Sequence, residues 1–243
     1  DLVEPDWLEL VEDEVSQALL GTVLAGVPIA AVSSTSGEGL PELLQLIAAT
    51  LKKVPERADR GRPRLPVDRV FTLTGFGTVV TGTLIDGSLK LGDEVELLPQ
   101  RRRSRVRGLQ THSRKVEVAP PGGRTAINLA GVTLEDVQRG NVVAYPGQLK
   151  PAKALDVKVR LIRDALRGLE NNDEVDLFTG ASEALARVSL LDRKRLAPGE
   201  EGWVRLRLRQ PLAVAKGDKF ILRLPSPSAV SYTHLTLPTI LRV

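Results

Sequence analysis

The densest run of ionisable side chains is Arg101-Arg102-Arg103-Ser104-Arg105-Val106-Arg107, with Arg114 and Lys115 close behind. Fixed guanidinium charges at that density suit contact with a phosphate backbone. Aromatic residues make up 3% of the chain and none interleaves the run, so any such contact would follow the RNA backbone and be blind to its sequence. A solvated hairpin with alternating arginines fits the same residues, and the two readings stand side by side. Gly75, Gly77 and Gly82 invite comparison with a dinucleotide loop. No helical pattern follows them, so the helix N-terminus a pyrophosphate needs is missing, and they read as bends or close approaches between strands. No paired carboxylates and no nucleophile beside a base stand out. With no cysteine and two histidines, His112 and His234, neither a catalytic constellation nor a metal site is expected.

The elements that must carry these residues follow from composition and period. At 243 residues, 42% hydrophobic and 26% charged, the chain is globular and long enough for two or three modules. It holds no run of 18 apolar residues, so no membrane partner is expected. Absence of cysteine fits a reducing compartment, and the expected location is cytoplasmic. The chain has no methionine and no signal peptide precedes Asp1, so it reads as a fragment of a longer protein. Charge is unevenly placed. Residues 1–54 hold nine acids (Asp1, Glu4, Asp6, Glu9, Glu12, Asp13, Glu14, Glu38, Glu42) against Lys52 and Lys53, a balance of −7, while the remainder holds 32 bases against 21 acids, or +11. A basic majority behind an acidic start points to a polyanion partner for the later modules.

Residues 1–54 read helix, strand, helix. Pro5 suits a first helical turn, and Leu8, Val11, Val15 and Leu19 recur at helical spacing until Gly21 and Gly26. Val27 to Ser33 looks like a buried parallel strand, and Leu40, Leu43, Leu44, Ile47 and Leu51 stripe a second helix. This is the rhythm of a doubly wound sheet with one strand only, and so short a segment cannot bury both faces of a sheet unaided. Residues 55–64 read as a linker. From 65 to 148, short β-branched runs separated by Gly, Pro and Asp predict a closed barrel, and 149–228 repeats the pattern. Strict alternation from Trp203 to Arg209 places Val204, Leu206 and Leu208 on one face and Arg205, Arg207 and Arg209 on the other. The expected fold is therefore mainly β, two consecutive barrels behind a truncated α/β segment.

The run Pro66-Val-Asp-Arg-Val-Phe-Thr-Leu-Thr-Gly-Phe-Gly-Thr-Val-Val-Thr-Gly-Thr-Leu84 resembles the second domain of translational GTPases related to elongation factor Tu. Gly87-Ser-Leu-Lys-Leu-Gly-Asp-Glu-Val, Gly122-Gly-Arg-Thr-Ala-Ile-Asn-Leu-Ala-Gly-Val and Val137-Gln-Arg-Gly-Asn-Val-Val follow at the spacing of that domain. Within the superfamily, Val106-Arg-Gly-Leu-Gln-Thr-His and Leu185-Ala-Arg-Val-Ser-Leu-Leu-Asp are most similar to the selenocysteine-specific, SelB-type factors. The Gly-Gly-Arg-His element of the third domain of elongation factor Tu is absent. The resemblance covers residues 1 to about 228. Ala229 to Val243 matches none of it and resembles translated adapter sequence, so no function is assigned there.

The resemblance implies site residues. Asp1 falls where the family's guanine-reading aspartate stands; such a carboxylate accepts from both N1–H and the exocyclic amine of guanine. Ser33 and Ser34 fall at the family's second guanine-contacting loop, at a strand end; the plain reading is a terminal residue and a helix cap. Asp68 and Arg124 fall near the aminoacyl pocket, with Arg69 and His112 as weaker candidates. A selenol ionises more readily than a thiol, so a pocket for it would offer a fixed cation, and arginine cannot be titrated away. An ion pair within the barrel explains Asp68 and Arg124 equally well. The tRNA backbone would meet Arg101, Arg102, Arg103, Arg105 and Arg107.

By the same resemblance the full-length protein uses GTP and Mg2+ to deliver selenocysteinyl-tRNA to the ribosome. It reaches the selenocysteine insertion element of the mRNA only through C-terminal domains beyond this chain. The Gly-X-X-X-X-Gly-Lys-Ser/Thr loop and both switch regions are missing, so the fragment is expected to bind no cofactor and not to hydrolyse GTP. A monomer is expected. The rivals are a factor for ordinary aminoacyl-tRNA and a non-catalytic RNA-binding barrel; the α/β start, with its exposed sheet edges, argues against the second.

Overall fold

The computed structural model describes residues 3–55, 58–73, 75, 77–163, 165–224 and 233–236, in two compact units, Asp1–Glu56 and Arg57–Val243. In the first unit the two predicted helices form at Pro5–Ala18 (α1) and Leu40–Lys53 (α2). Pro5 opens α1, where its fixed φ costs nothing and its missing N–H is not needed. Gly39 precedes α2 at φ +73, and a Cβ there would sit 2.1 Å from the Ala31 carbonyl oxygen, so the turn admits only glycine. Lys52 and Lys53 fall in the last turn of α2, where cations complement the helix dipole.

Val27 to Ser33, expected as a strand, is irregular. A strand is defined by a partner for its backbone groups, and the described residues of this unit contain no second extended segment to supply one. For the same reason neither helix buries a residue, and Trp7 and Leu44 stand 58% and 66% exposed on stripes that have no sheet to cover.

The described residues of the second unit form β-strands and one 3-10 turn, Leu134–Asp136. Its first barrel is built from Arg64–Pro66 (β1), Arg69–Leu73 (β2), Gly77–Thr83 (β3), Leu89–Lys90 (β4), Glu94–Leu98 (β5), Arg102–Thr111 (β6), Arg114–Val116 (β7), Val118–Ala119 (β8), Arg124–Leu129 (β9) and Val142–Ala144 (β10). The antiparallel order is β1-β10-β5-β6-β9-β3-β2, with β7 beside β6 and β4 paired with β8. β1 also lies against β3, which curls the sheet round on itself. That closure runs over Gly82, where a Cβ would meet the Pro66 carbonyl oxygen at 2.1 Å. The close-approach reading of this glycine is correct. Leu65, Val80, Val95, Leu97, Leu109 and Ile127 fill the interior.

The second barrel follows with Ala152–Arg160 (β11), Leu169–Glu170 (β12), Glu174–Thr179 (β13), Ser182–Leu190 (β14), Arg195–Leu196 (β15), Glu201–Leu212 (β16), Lys219–Arg223 (β17) and Thr233–Thr236 (β18). The sheet order is β11-β16-β14-β13-β17-β18. As the alternation predicts, Val204, Leu206 and Leu208 are buried, while Arg205 pairs across the outer face with Asp156 on β11 through two hydrogen bonds of 2.7 and 2.8 Å. β18 comes from the segment set aside in the sequence; an open strand edge accepts any extended backbone, and Lys219–Leu222 supplies one.

Residues 58–62, within the stretch read as linker, are exposed yet hydrogen-bonded to the first barrel, and Pro63 and Arg64 are buried. Asp59 accepts from the Ser88 amide at 3.0 Å and from its hydroxyl at 2.5 Å, and Gln148 donates to the Arg62 carbonyl at 2.9 Å. Hydrogen bonds made by turn geometry leave no periodic mark in a sequence.

Candidate functional site

The predicted pocket residues converge on the outer face of the sheet β2-β3-β9-β6. Alternation sets this face: Val80, Ile127 and Leu109 point inward, so Thr81, Ala126 and Gln110, which share one row across β3, β9 and β6, point outward. Arg69 joins that row opposite Thr81. Asp68 precedes the strand, and its amide donates to the Thr81 carbonyl at 2.8 Å. Arg124 opens β9 two residues before Ala126 and so shares its face.

Arg124 grips Asp68 with both arms of its guanidinium, at 2.5 Å to Oδ2 and 2.9 Å to Oδ1. The Thr81 hydroxyl donates to Asp68 Oδ1 at 2.8 Å and accepts from Arg124 Nη2 at 3.2 Å. Burial acts to raise the Asp68 pKa, but hydrogen bonds from Arg124 and Thr81, with the charges of Arg124 and Arg69, outweigh it and hold the carboxyl below the usual carboxylate range. The hydrogen bonds and charge of Asp68 raise the Arg124 pKa further. The Arg124 side chain remains 54% exposed, so the cation is fixed in place yet open to solvent. The ion-pair reading is thus present in the structure, and it serves to orient the charge.

His112 sits in the turn of the β6–β7 hairpin with φ +49, followed by Ser113 at +61. The ladder pairs Thr111 with Thr125, so it carries His112 toward the Arg124 end of the sheet. Thr81, which joins the two charged residues, is a member of the cluster that sequence reasoning missed; a threonine in a β-rich run carries no mark distinguishing it from its neighbours.

Along the same face lies a groove of about 430 Å3. Phe71, Val79, Leu91 and Ala126 give it apolar walls, and Arg107 and Lys115 stand among its lining. Its sequence signal is weak but real: Phe71 and Val79 are large apolar residues at outward positions of a strand pair, where a solvated barrel would carry polar ones.

The arginine run divides by partner. Arg101 takes a left-handed turn at φ +61 before β6. Arg102 is committed to Asp136 and to the Gly131 carbonyl at 2.9 Å. Arg105 lies 3.7 Å from Glu94, Arg103 is exposed, and Arg107 joins the groove. The run is therefore not one uniform track.

In the first unit, Ser33 is buried and its hydroxyl accepts from the amides of Thr35 at 3.3 Å and Ser36 at 3.1 Å, which shapes the loop entering α2. Ser34 is exposed. Asp1 lies outside the described residues.

Comparison with known proteins agrees with this architecture. Residues 77–144 match the family described as elongation factor Tu domain 2, and residues 155–230 match the β-barrel domain of selenocysteine-specific elongation factor. A selenocysteine-specific elongation factor from Desulfomicrobium baculatum is 44% identical over 227 residues, covering 93% of this chain and 36% of the relative. The crystal structure of a bacterial selenocysteine-specific elongation factor, EF-Sec, superposes with a TM-score of 0.81 at 26% identity, over 96% of this chain and 38% of that one. The apo form of translation elongation factor SelB from Methanococcus maripaludis shares the fold, with a TM-score of 0.83 at 24% identity over 97% of this chain and 56% of that one. The chain spans little more than a third of the curated relative it matches. Two barrels in this order, each matched by one of these domain families, together with the 44% identity over 93% of the chain, make the chain a member of the selenocysteine-specific elongation factor family.

Proposed function

We propose that this chain is the part of a selenocysteine-specific elongation factor that grips selenocysteinyl-tRNA, and that the full-length protein carries that tRNA to the ribosome in the cytoplasm under control of GTP and Mg2+. The observation that carries the reading is the Asp68–Arg124–Thr81 cluster: a permanent cation, held by two hydrogen bonds to one carboxylate and left half open to solvent. A selenolate gains from such a charge more than a serine hydroxyl does, because only the selenolate is ionised at neutral pH. Arg69, one residue beyond Asp68, adds a second positive charge, so the cluster is not neutralised by its own carboxylate. His112 stands at the same end of the sheet.

The apolar groove beside the cluster suits an uncharged base ring at the aminoacyl end of the tRNA, with Arg107 and Lys115 placed for the neighbouring phosphates. Arg103, Arg105 and Arg101 extend the positive surface for the RNA backbone, whereas Arg102 serves the barrel. The residues present do not fit a complete nucleotide site, since the sequence lacks the phosphate-cradling loop. The remnant that fits is the guanine side: Asp1 and Ser34, with Ser33 shaping the loop. The chain acts as a monomer, and the mRNA element is met by other domains of the full-length factor.

The test is binding of this chain to selenocysteinyl-tRNA and to seryl-tRNA of the same body, at two salt concentrations, with and without Arg124→Ala. A preference for the selenocysteinyl form that disappears in the variant supports the pocket. Salt-sensitive binding without preference would leave a generic RNA platform and sink the selenol assignment.

A further inference from the structure

Arg64 is the most buried arginine among the described residues, 8% exposed, and no role follows for it from the tRNA site. It stands on β1, the first strand of the first barrel, and holds two carboxylates at once. Its Nε and Nη2 donate to Asp86 Oδ2 at 2.8 and 2.5 Å, within the first barrel. Its Nη1 and Nη2 donate to Asp218 Oδ2 and Oδ1 at 2.8 and 2.7 Å, across to the turn before β17 in the second. Burial opposes the charge, but hydrogen bonds and attraction from Asp218 and Asp86 outweigh it and raise the Arg64 pKa.

Around this contact the apolar cluster shared by the two barrels is small. Leu98, Val142 and Ala144 of the first barrel pack with Ala213 of the second, with Leu149 of the connecting segment alongside. The Ser182 hydroxyl donates to the Gly140 carbonyl at 2.6 Å. So small an apolar patch between modules does not by itself fix an angle; relative motion is the default unless an interface is large and hydrophobic. A bidentate arginine clamp supplies direction that an apolar patch lacks.

We infer that Arg64 is a positioning residue, a latch that sets the angle between the two barrels and can open without leaving a bare buried charge. On separation the guanidinium keeps both bonds to Asp86, and Asp218 keeps the Ala215 amide that it accepts at 2.8 Å. Breaking a buried ion pair is costly mainly when it strands one partner, and here neither is stranded. The inference is independent of what the barrels bind.

The absence of cysteine makes the test direct. Spin labels on Lys90→Cys and Lys194→Cys, both exposed and one in each barrel, report the inter-barrel distance by pulsed dipolar spectroscopy. The native sequence is expected to give one narrow distribution. Arg64→Met is expected to broaden it about twofold while hydrogen exchange in each barrel core stays native. Asp218→Asn leaves the Arg64–Asp86 pair intact and is expected to broaden it in the same sense, so the inference stands even if Arg64→Met weakens the first barrel. A native distribution in both variants would overturn it and assign the angle to the apolar patch. So would a native distribution in Asp218→Asn with an unfolded first barrel in Arg64→Met, which would confine Arg64 to its own barrel.

Discussion

Asp68 and Arg124, 56 residues apart in the chain, meet in a two-point ion pair that Thr81 completes from the strand between them. The carboxylate fixes where the guanidinium points, and the guanidinium stays half open to solvent. Removing the anchor should therefore disturb recognition more than folding. Asp68→Ala is expected to reduce discrimination between selenocysteinyl- and seryl-tRNA about tenfold, or about 1.4 kcal/mol, with little change in salt-dependent affinity. Arg124→Lys should fail to restore it, because an ammonium cannot make the paired bonds. Competition binding with the two charged tRNAs measures both.

The pair also sets a pH response. The folded pKa of Asp68 lies below its unfolded value, so its contribution is fully present above the unfolded pKa and is lost as pH falls through the depressed folded value. The cluster is expected to stay intact through the ordinary carboxylate range. A carboxyl carbon NMR titration checks this: Asp68 should titrate below the same residue in the unfolded chain, and Arg124→Ala should move it upward.

The arginines of β6 should separate by their partners. Arg103→Ala is expected to weaken binding of both tRNAs equally and to lower the slope of log affinity against log salt by about 1. Arg102→Ala should cost stability instead, since the Gly131 carbonyl loses this donor and Asp136 is left with Thr133 alone. Salt-series binding beside thermal unfolding distinguishes the two.

Barrel closure over Gly82 predicts an asymmetric response to added methyl groups. Gly82→Ala places a carbon against the Pro66 carbonyl and the Leu65 side chain and is expected to cost about 3 kcal/mol. Gly123→Ala meets nothing within 4 Å and should fall within about 0.5 kcal/mol of the parent. Denaturant unfolding of the two variants is sufficient.

Tyr145 donates to Asp93 Oδ2 at 2.8 Å, and burial together with that carboxylate pushes the phenol up to about 12 from its ordinary 10.0. A raised pKa means that the bond contributes fully below the unfolded value and is lost as pH rises through the folded one, so alkaline weakening is expected between about 10 and 12. Ultraviolet titration of phenolate formation reads it, and Tyr145→Phe should remove the transition.

Much of this molecule is written locally. Helical spacing in Leu8, Val11 and Val15, period-two alternation in Trp203 to Arg209 and glycine at a closing strand each state a requirement of nearby backbone geometry, and the chain meets them. Val27 to Ser33 departs from its pattern because a strand also needs a neighbour, which no segment can encode alone. Resemblance puts Asp68 and Arg124 near one pocket, but their bidentate geometry, the joining role of Thr81 and the groove beside them arise from strand register. Arg64 is the clearest case. In sequence it is one of several arginines in a charged linker, and only the docking of two barrels turns it into a buried clamp between Asp86 and Asp218. Residue type and period determine which face each side chain takes. Which distant side chains meet on that face depends on how the sheets curl and dock, a property of the whole fold that no single stretch of the chain contains.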